Sequence, residues 1–244
     1  MSIAVAALEL LLDATEGMDV ERALIVESAT YSVLQAGPEH QAWLAARTRR
    51  DVEDEEDVVL MTRDGSALRL TLHRPHRRNA FNATMREELL DGLEVATVDP
   101  SIERVVIDAV GPNFCSGGDL DEFGTLVDPA SAHLLRVERS VARAIHRLRD
   151  KVSVQVHGAC VGAGVELPAF AGHVVACPDA TFALPEVGMG LVPGAGGTVS
   201  IPRRIGRERF MTMAVTGDPI DASTALDWGL IDEVSQTTGG ASRP

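Results

Sequence analysis

Glu166 and Glu186 each stand in a glycine-rich, apolar stretch: GACVGAGVELPAFAG over residues 158–172 and TFALPEVGMGLVPGAGG over residues 181–197. A carboxylate among Val161, Val165, Leu167 and Phe170 can be read in two ways. Near the start of a helix it complements the positive end of the dipole and reaches water. Alternatively it is partly desolvated, so that its pKa rises and it transfers protons near neutral pH. The second carboxylate, with Pro185 fixing its approach, favours the second reading. Two neighbouring acids repel and titrate apart, which supplies an acid and a base at one pH.

Two loops could hold the other half of such chemistry, FCSGGDL at 114–120 and GACVGAGVEL at 158–167. Each follows a predicted strand and leads into a helix. Glycine there lets the backbone approach a ligand and leaves N–H groups unpaired, and a helix start adds its positive end. Either loop can therefore hold an anion or an oxyanion. The glycines of GMGLVPGAGG at 188–197 are wrongly spaced for a dinucleotide fingerprint. Ser116 in Cys-Ser-Gly-Gly is not in a G-x-S-x-G nucleophile elbow. The basic island LHRPHRRN at 72–79 reads either as a solvated turn or as a dock for a small phosphorylated ligand.

The elements that must position these residues alternate along the chain. The segment VVLMTRDGSALRLTLH is a hairpin about Asp64-Gly65. A helix over 82–97, a strand RVVIDAV, a helix over 131–148, a strand VSVQVHG, a short helix at Gly164, a strand HVVAC and helices after Gly196 follow. Strands separated by helices predict an α/β fold built of crossovers. Before them, residues 4–47 carry apolar positions at helical spacing, broken at EGMD and AGPE, which predicts two or three short helices. The run DVEDEED at 51–57 is too acidic for a core and reads as a linker, and residues 236–244 as a flexible tail.

The net charge of −14 argues against nucleic acid as a partner. No apolar run approaches the roughly 20 residues of a membrane span, and the first residues lack the basic flank of a signal peptide. The expected location is cytoplasmic. Cys115, Cys160 and Cys177 lack metal-ligand spacing and read as buried thiols. No metal is implied.

In order and near the expected spacings, LHRPHRRNAFNATMREEL, VVIDAVGPNFCSGGDL, VHGACVGAGVEL and FALPEVGMGLVPGAGGT resemble the signature segments of the enoyl-CoA hydratase/isomerase (crotonase) superfamily. The resemblance covers residues 58–235. It implies a spiral of β-β-α turns with a helical cap, assembled as homotrimers or hexamers and acting on acyl-CoA thioesters, with coenzyme A entering only as part of the substrate. It places the oxyanion donors at the N–H groups of Gly118 and Ala163 and the catalytic acids at Glu166 and Glu186, which hold a water between them. Ser116, Asp119 and Leu120 would run along the coenzyme, with Arg77 and Arg78 near its nucleotide end. Both glutamates together imply a hydratase-type lyase. An isomerase or dehydratase on an aromatic or polyketide-derived acyl-CoA, with Glu186 as principal base, is the alternative; a non-catalytic thioester-binding or scaffold subunit is the reading from another class.

Two positions depart from the family pattern, Pro168 behind Glu166 and Gly172, where aspartate is common. The ends depart further. Helices that in the family follow WGLIDEV and close the site resemble residues 1–50 here, AALELLLDATEGMDVERALIVESATYSVLQAGPEHQAWLAARTRR. The implied arrangement is a circular permutation in which the acidic linker ties the cap to the first strand. Phe123, Leu126, Phe170 and Phe182 are either acyl-pocket walls or core, and Trp43 and Trp228 are assigned to packing.

Overall fold

A computed structural model describes residues 2–48, 50, 56–126 and 128–235. The chain begins with three helices, α1 (Ile3–Thr15), α2 (Val20–Gln35) and α3 (Pro38–Ala45). Ser2 and Asp19 cap the first two by accepting from the Val5 and Arg22 N–H groups, and Pro38 opens the third. Most of the linker, residues 51–55, and the tail at 236–244 lie outside the described residues.

The hairpin forms as expected, with β1 (Val59–Asp64) antiparallel to β2 (Ala67–Leu72). After it come α4 (Ala83–Val98), β3 (Arg104–Ala109), α5 (Pro129–Glu138), α6 (Val141–Arg147), β4 (Val152–Val156), β5 (Ala159–Val161), α7 (Ala163–Glu166), β6 (His173–Ala176) and β7 (Thr181–Ala183). The chain ends in α8 (Gly197–Ile205), α9 (Arg207–Thr216), β8 (Ile220–Asp221), α10 (Ala222–Trp228) and β9 (Glu233–Val234). One sheet has the order β1-β2-β3-β4-β6-β9, parallel from β2 onward, and a second the order β5-β7-β8. Successive strands enter different sheets: β4 joins the large one and β5 the small one, then β6 and β7 repeat the step. Each pair ends in a helical turn at the same side, so a repeated β-β-α path brings residues distant in sequence to one place. An isolated parallel bridge between Cys115 and Cys160 extends the small sheet toward the loop at 114–120.

Alternation sets which face is core. Leu68, Leu70 and Leu72 of β2 are buried with Ile107, Val154, Leu89 and Leu93 in one cluster. On the other face Arg69 and Thr71 both bond to Asp108 of the adjacent strand. The helix expected over 131–148 is two helices. Ser140 interrupts it and caps α6 by accepting from the Arg143 N–H at 3.2 Å, a local bond that competes with continuation of the helix. All three cysteines are buried, as expected of thiols in apolar strings. Among the described residues no helix is long and apolar enough to cross a membrane, and no cluster of three His, Cys, Asp or Glu side chains could hold a metal.

Only part of the basic island is a solvated turn: His73, His76 and Arg78 are exposed. Arg74 is 1% exposed and pairs with the buried Asp119 at 2.6 Å, while Arg77 bonds to Asp119 and Asp121. Burial pushes the Asp119 carboxyl up, but the Arg74 and Arg77 guanidiniums and the Asp121 N–H outweigh it and hold it below the usual carboxylate range. Removing one partner strands the other charge in the interior. Arg74→Met is therefore expected to lower the unfolding free energy by about 3–5 kcal/mol in a urea titration. With a depressed native pKa, the Asp119 contribution is present above its unfolded value and lost as pH falls through the native one. Equal urea midpoints for wild type and variant would remove the ion pair as the anchor of this loop.

Candidate active site

The loop at 116–120 owes its shape to Phe81. The Phe81 N–H donates to the Gly117 carbonyl at 2.8 Å and the Asp119 N–H donates to the Phe81 carbonyl at 2.9 Å. In an extended chain the intervening N–H points the other way, so the Gly118 N–H faces away from Phe81. Across from it, Gly162 turns the chain at φ 49° and α7 starts at Ala163, whose N–H is one of the orphan donors of a helix start. Neither the Gly118 nor the Ala163 N–H has an acceptor among the described residues, and both residues line one cavity of about 420 Å³. Glu166 and Glu186 line it as well, as does Asp119. Arg77, Arg78, Ser116 and Leu120 lie outside its wall; Arg78 is exposed and its carbonyl accepts from the Ser116 N–H.

Glu166, 2% exposed, is fixed by one oxygen. Its Oε2 accepts from the Ala195 and Gly197 N–H groups at 2.7 and 2.8 Å. A Cβ on Gly197 would lie 2.7 Å from that oxygen, so glycine is required for the carboxylate to reach the backbone. Gly162 is constrained likewise: besides its positive φ, a Cβ there would sit 2.3 Å from Glu186 Oε1. Glu186 Oε2 is buried with no hydrogen-bond partner among the described residues. Burial pushes the Glu166 carboxyl up, partly offset by its two N–H donors. Burial and then the Glu166 charge push Glu186 well above the usual range.

A third acid, absent from the sequence-based expectation, completes the site. Glu27 of α2 is 2% exposed; its Oε1 accepts from the Gly196 N–H at 2.8 Å, and its Oε2 from the Thr198 N–H at 3.0 Å and Thr198 Oγ1 at 2.6 Å. Burial and the Glu166 charge push it up to about 8 against the pull of those donors. The clue in the sequence was its register: Ala23, Leu24, Glu27 and Ser28 share the buried stripe of α2. Tyr31 and Arg136, also on the cavity wall, were equally unforeseen. The front helices therefore close this chain's own cavity. α3 adds a stacked cluster in which His40 lies 5.5 Å from Trp43 and donates from Nδ1 to the Met189 carbonyl, with Phe123 6.0 Å from Trp43. Phe123 and Leu126 line the cavity, whereas Phe170 and Phe182 are core. Pro168 opens a single 3-10 turn and, like Gly172, does not line the cavity, so neither departure alters its walls directly.

Residues 62–238 match the family model described as enoyl-CoA hydratase/isomerase. The chain belongs to the enoyl-CoA hydratase/isomerase family. It is 34% identical over 176 residues to the 2,3-dehydroadipyl-CoA hydratase of Escherichia coli (strain K12), covering 72% of this chain and 68% of that protein. It is 32% identical over 182 residues to the 1,2-epoxyphenylacetyl-CoA isomerase of the same organism, covering 73% and 70%. Of solved structures, an enoyl-CoA hydratase from Thermoplasma volcanium superposes with a TM-score of 0.68 at 32% identity, over 74% of this chain and 72% of that one. The crotonase fold of the enoyl-CoA hydratase/isomerase family is thus the fold of this chain, and the family is one of enzymes.

The raised Glu27 gives stability a pH signature. Its contribution is full below the ordinary value of 4.5 and is lost as pH rises through about 8. Glu27→Gln keeps the shape but cannot titrate and satisfies fewer of the three donors, which costs about 1–3 kcal/mol. Melting curves from about pH 5 to about pH 9 are expected to fall with pH more steeply in the wild type than in the variant. Parallel curves would show that Glu27 does not change protonation on folding.

Proposed function

We propose that the protein adds water to, or eliminates it from, the α,β double bond of a 2-enoyl-CoA thioester. The observation that carries this reading is the presence, in one cavity, of two backbone N–H groups without acceptors among the described residues, the buried carboxylate of Glu166 and a second carboxylate, Glu186, with a buried oxygen. The thioester oxygen sits between the Gly118 and Ala163 N–H groups, each contributing on the order of 3 kcal/mol to the enolate-like transition state. Water lies between Glu166 and Glu186. One carboxylate takes a proton from the water as its oxygen bonds to the β-carbon; the other, in its acid form, gives a proton to the α-carbon. The steps balance with no further cofactor. Gly118 and Ala163 are pre-oriented by the Phe81 clamp and the α7 start, so little reorganisation accompanies the charge.

Ser116, Asp119 and Leu120 flank the coenzyme arm. Arg77 and Arg78 lie toward its phosphates, Arg77 with its charge shared by Asp119 and Asp121. The helices of residues 1–50 act as the closing element that the resemblance puts at the other end of family members, as a circular permutation would leave it, supported by the bonds from the head of α8 to Glu27. The protein works in the cytoplasm as a homotrimer or hexamer. A second reading, isomerisation or dehydration of a specialised acyl-CoA with Glu186 as principal base, is favoured by one feature: Glu186 keeps a buried oxygen with no partner among the described residues, whereas Glu166 is anchored. A thioester-binding subunit without turnover has no need of paired acids.

The test is loss of the enoyl-thioester absorbance of crotonyl-CoA. Glu166→Gln and Glu186→Gln should each reduce kcat by about 100-fold or more. The wild-type pH–rate profile should be a bell whose limbs lie above the ordinary glutamate value, because burial raises both acids. A large loss in Glu186→Gln alone selects the isomerase reading; no turnover of any enoyl-CoA or its isomers removes both.

A further inference from the structure

Four arginines stand on the α4–α6 side of the cavity, and their partners divide them into two pairs. Arg86 and Arg139 both bond to Glu87. Among the described residues Arg136 has only neutral acceptors: Nε donates to Ser28 Oγ at 3.3 Å, Nη1 to Gln35 Oε1 at 3.1 Å, and Nη2 to Ser32 Oγ and the Ser28 carbonyl. Its guanidinium also lies 4.7 Å from the centroid of Tyr31. Arg143, one turn of α6 from the capping Ser140, has a buried Nε with no hydrogen-bond partner among the described residues.

A guanidinium that is half-buried, held in one orientation and matched by no carboxylate in its hydrogen-bonding shell is a poor structural choice by itself. Removing a charge from water is costly unless an opposite charge meets it. The acids across the cavity do not fill that role well, because burial biases Glu27, Glu166 and Glu186 toward their neutral forms. Burial accordingly pulls the Arg136 pKa down, against the attraction of Tyr31 and Glu27. Around these cations the wall is apolar, with Leu126, Leu135, Val141 and Phe81, which suits a methylene chain ending in an anion.

We propose that the acyl group carried by the coenzyme ends in a second carboxylate, bound by Arg136, with Arg143 on the wall of the same cavity. The inference rests on the CoA-thioester reading above and narrows its substrate class to dicarboxylic acyl thioesters. The coenzyme's own phosphates are the other anions within the same ligand. Position argues for the acyl carboxylate: Arg136 stacks on Tyr31, and Tyr31 packs so closely on Gly194 that a Cβ there would lie 2.2 Å from its ring, one residue before the Ala195 N–H that holds Glu166. That chain of contacts ties Arg136 to the reacting end of the cavity.

Calorimetry with free CoA, hexanoyl-CoA, glutaryl-CoA and adipyl-CoA tests this, on the wild type, Arg136→Met and Arg143→Gln, with melting curves to confirm folding. The wild type should bind at least one dicarboxylic thioester about tenfold or more tightly than hexanoyl-CoA, and that preference should fall about tenfold in Arg136→Met. Arg143→Gln, which breaks no bond of its Nε, should reduce the preference as well and carries the test if Arg136→Met does not fold. Equal affinity for hexanoyl- and dicarboxylic thioesters in the wild type overturns this inference and leaves the proposed reaction standing. Uniform weakening of free CoA and every thioester in Arg136→Met assigns the arginine to phosphate and also overturns it. Failure of all CoA thioesters to bind overturns the proposed function together with it.

Discussion

Four consecutive backbone N–H groups at the head of α8 are shared alternately between two buried glutamates. Ala195 and Gly197 donate to Glu166, and Gly196 and Thr198 donate to Glu27. A helix start leaves its first N–H groups without partners, and its positive end favours negative charge. Here that need is met by two acids from different parts of the chain, one on α7 beside the acceptor-free N–H of Ala163 and one on α2 of the front helices. The same four bonds therefore orient Glu166, fix the loop at 193–197 and fasten the closing helices over the cavity. Placing a third carboxylate, Glu186, within reach of this pair is tolerable only because burial keeps the group partly protonated.

The remaining architecture serves that arrangement. The β-β-α path returns to the same side after each turn, so the loop at 116–120, the start of α7 and the Glu186 turn converge, although 70 residues separate Ser116 from Glu186. On one flank the Arg74–Asp119 pair and the Phe81 clamp set the first donor loop. On the other, α5 is knitted to α2 by Ser32, which donates to the Pro129 carbonyl, and by the Arg136 bonds. Catalytic geometry and cap geometry are thus coupled through hydrogen bonds rather than through the apolar core alone, and a change in α2 is felt at Glu166 through the backbone of α8.

Much of this was legible in the residues before any coordinates. The glycine-rich loops at 114–120 and 158–167 read as places where the backbone approaches a ligand, and both glutamates stand in glycine-rich apolar stretches, so local composition pointed at the cavity. The helix start at Asn82 and the hairpin at Asp64-Gly65 are likewise local signals. What stayed hidden was non-local. Arg74 and Arg77 read as part of a solvated turn or a phosphate dock because nothing near them in sequence reveals Asp119 and Asp121. Glu27 and Arg136 gain meaning only when α2 meets α8 and α5. The strands β5, β7 and β8, of three, three and two residues, are too short for alternation to register. The break at Ser140 was obscured by an apolar pattern that runs through it.

The central claim is that one cavity presents a thioester oxygen to two backbone donors while two acids face its α- and β-carbons. The most direct measurement is a crystal structure with acetoacetyl-CoA, a thioester that cannot be hydrated. The account predicts the thioester oxygen within hydrogen-bond distance of the Gly118 and Ala163 N–H groups, with the Glu166 and Glu186 carboxylates against the acyl carbons. A thioester oxygen bonded elsewhere, or an acyl chain that leaves both glutamates facing protein alone, would contradict it.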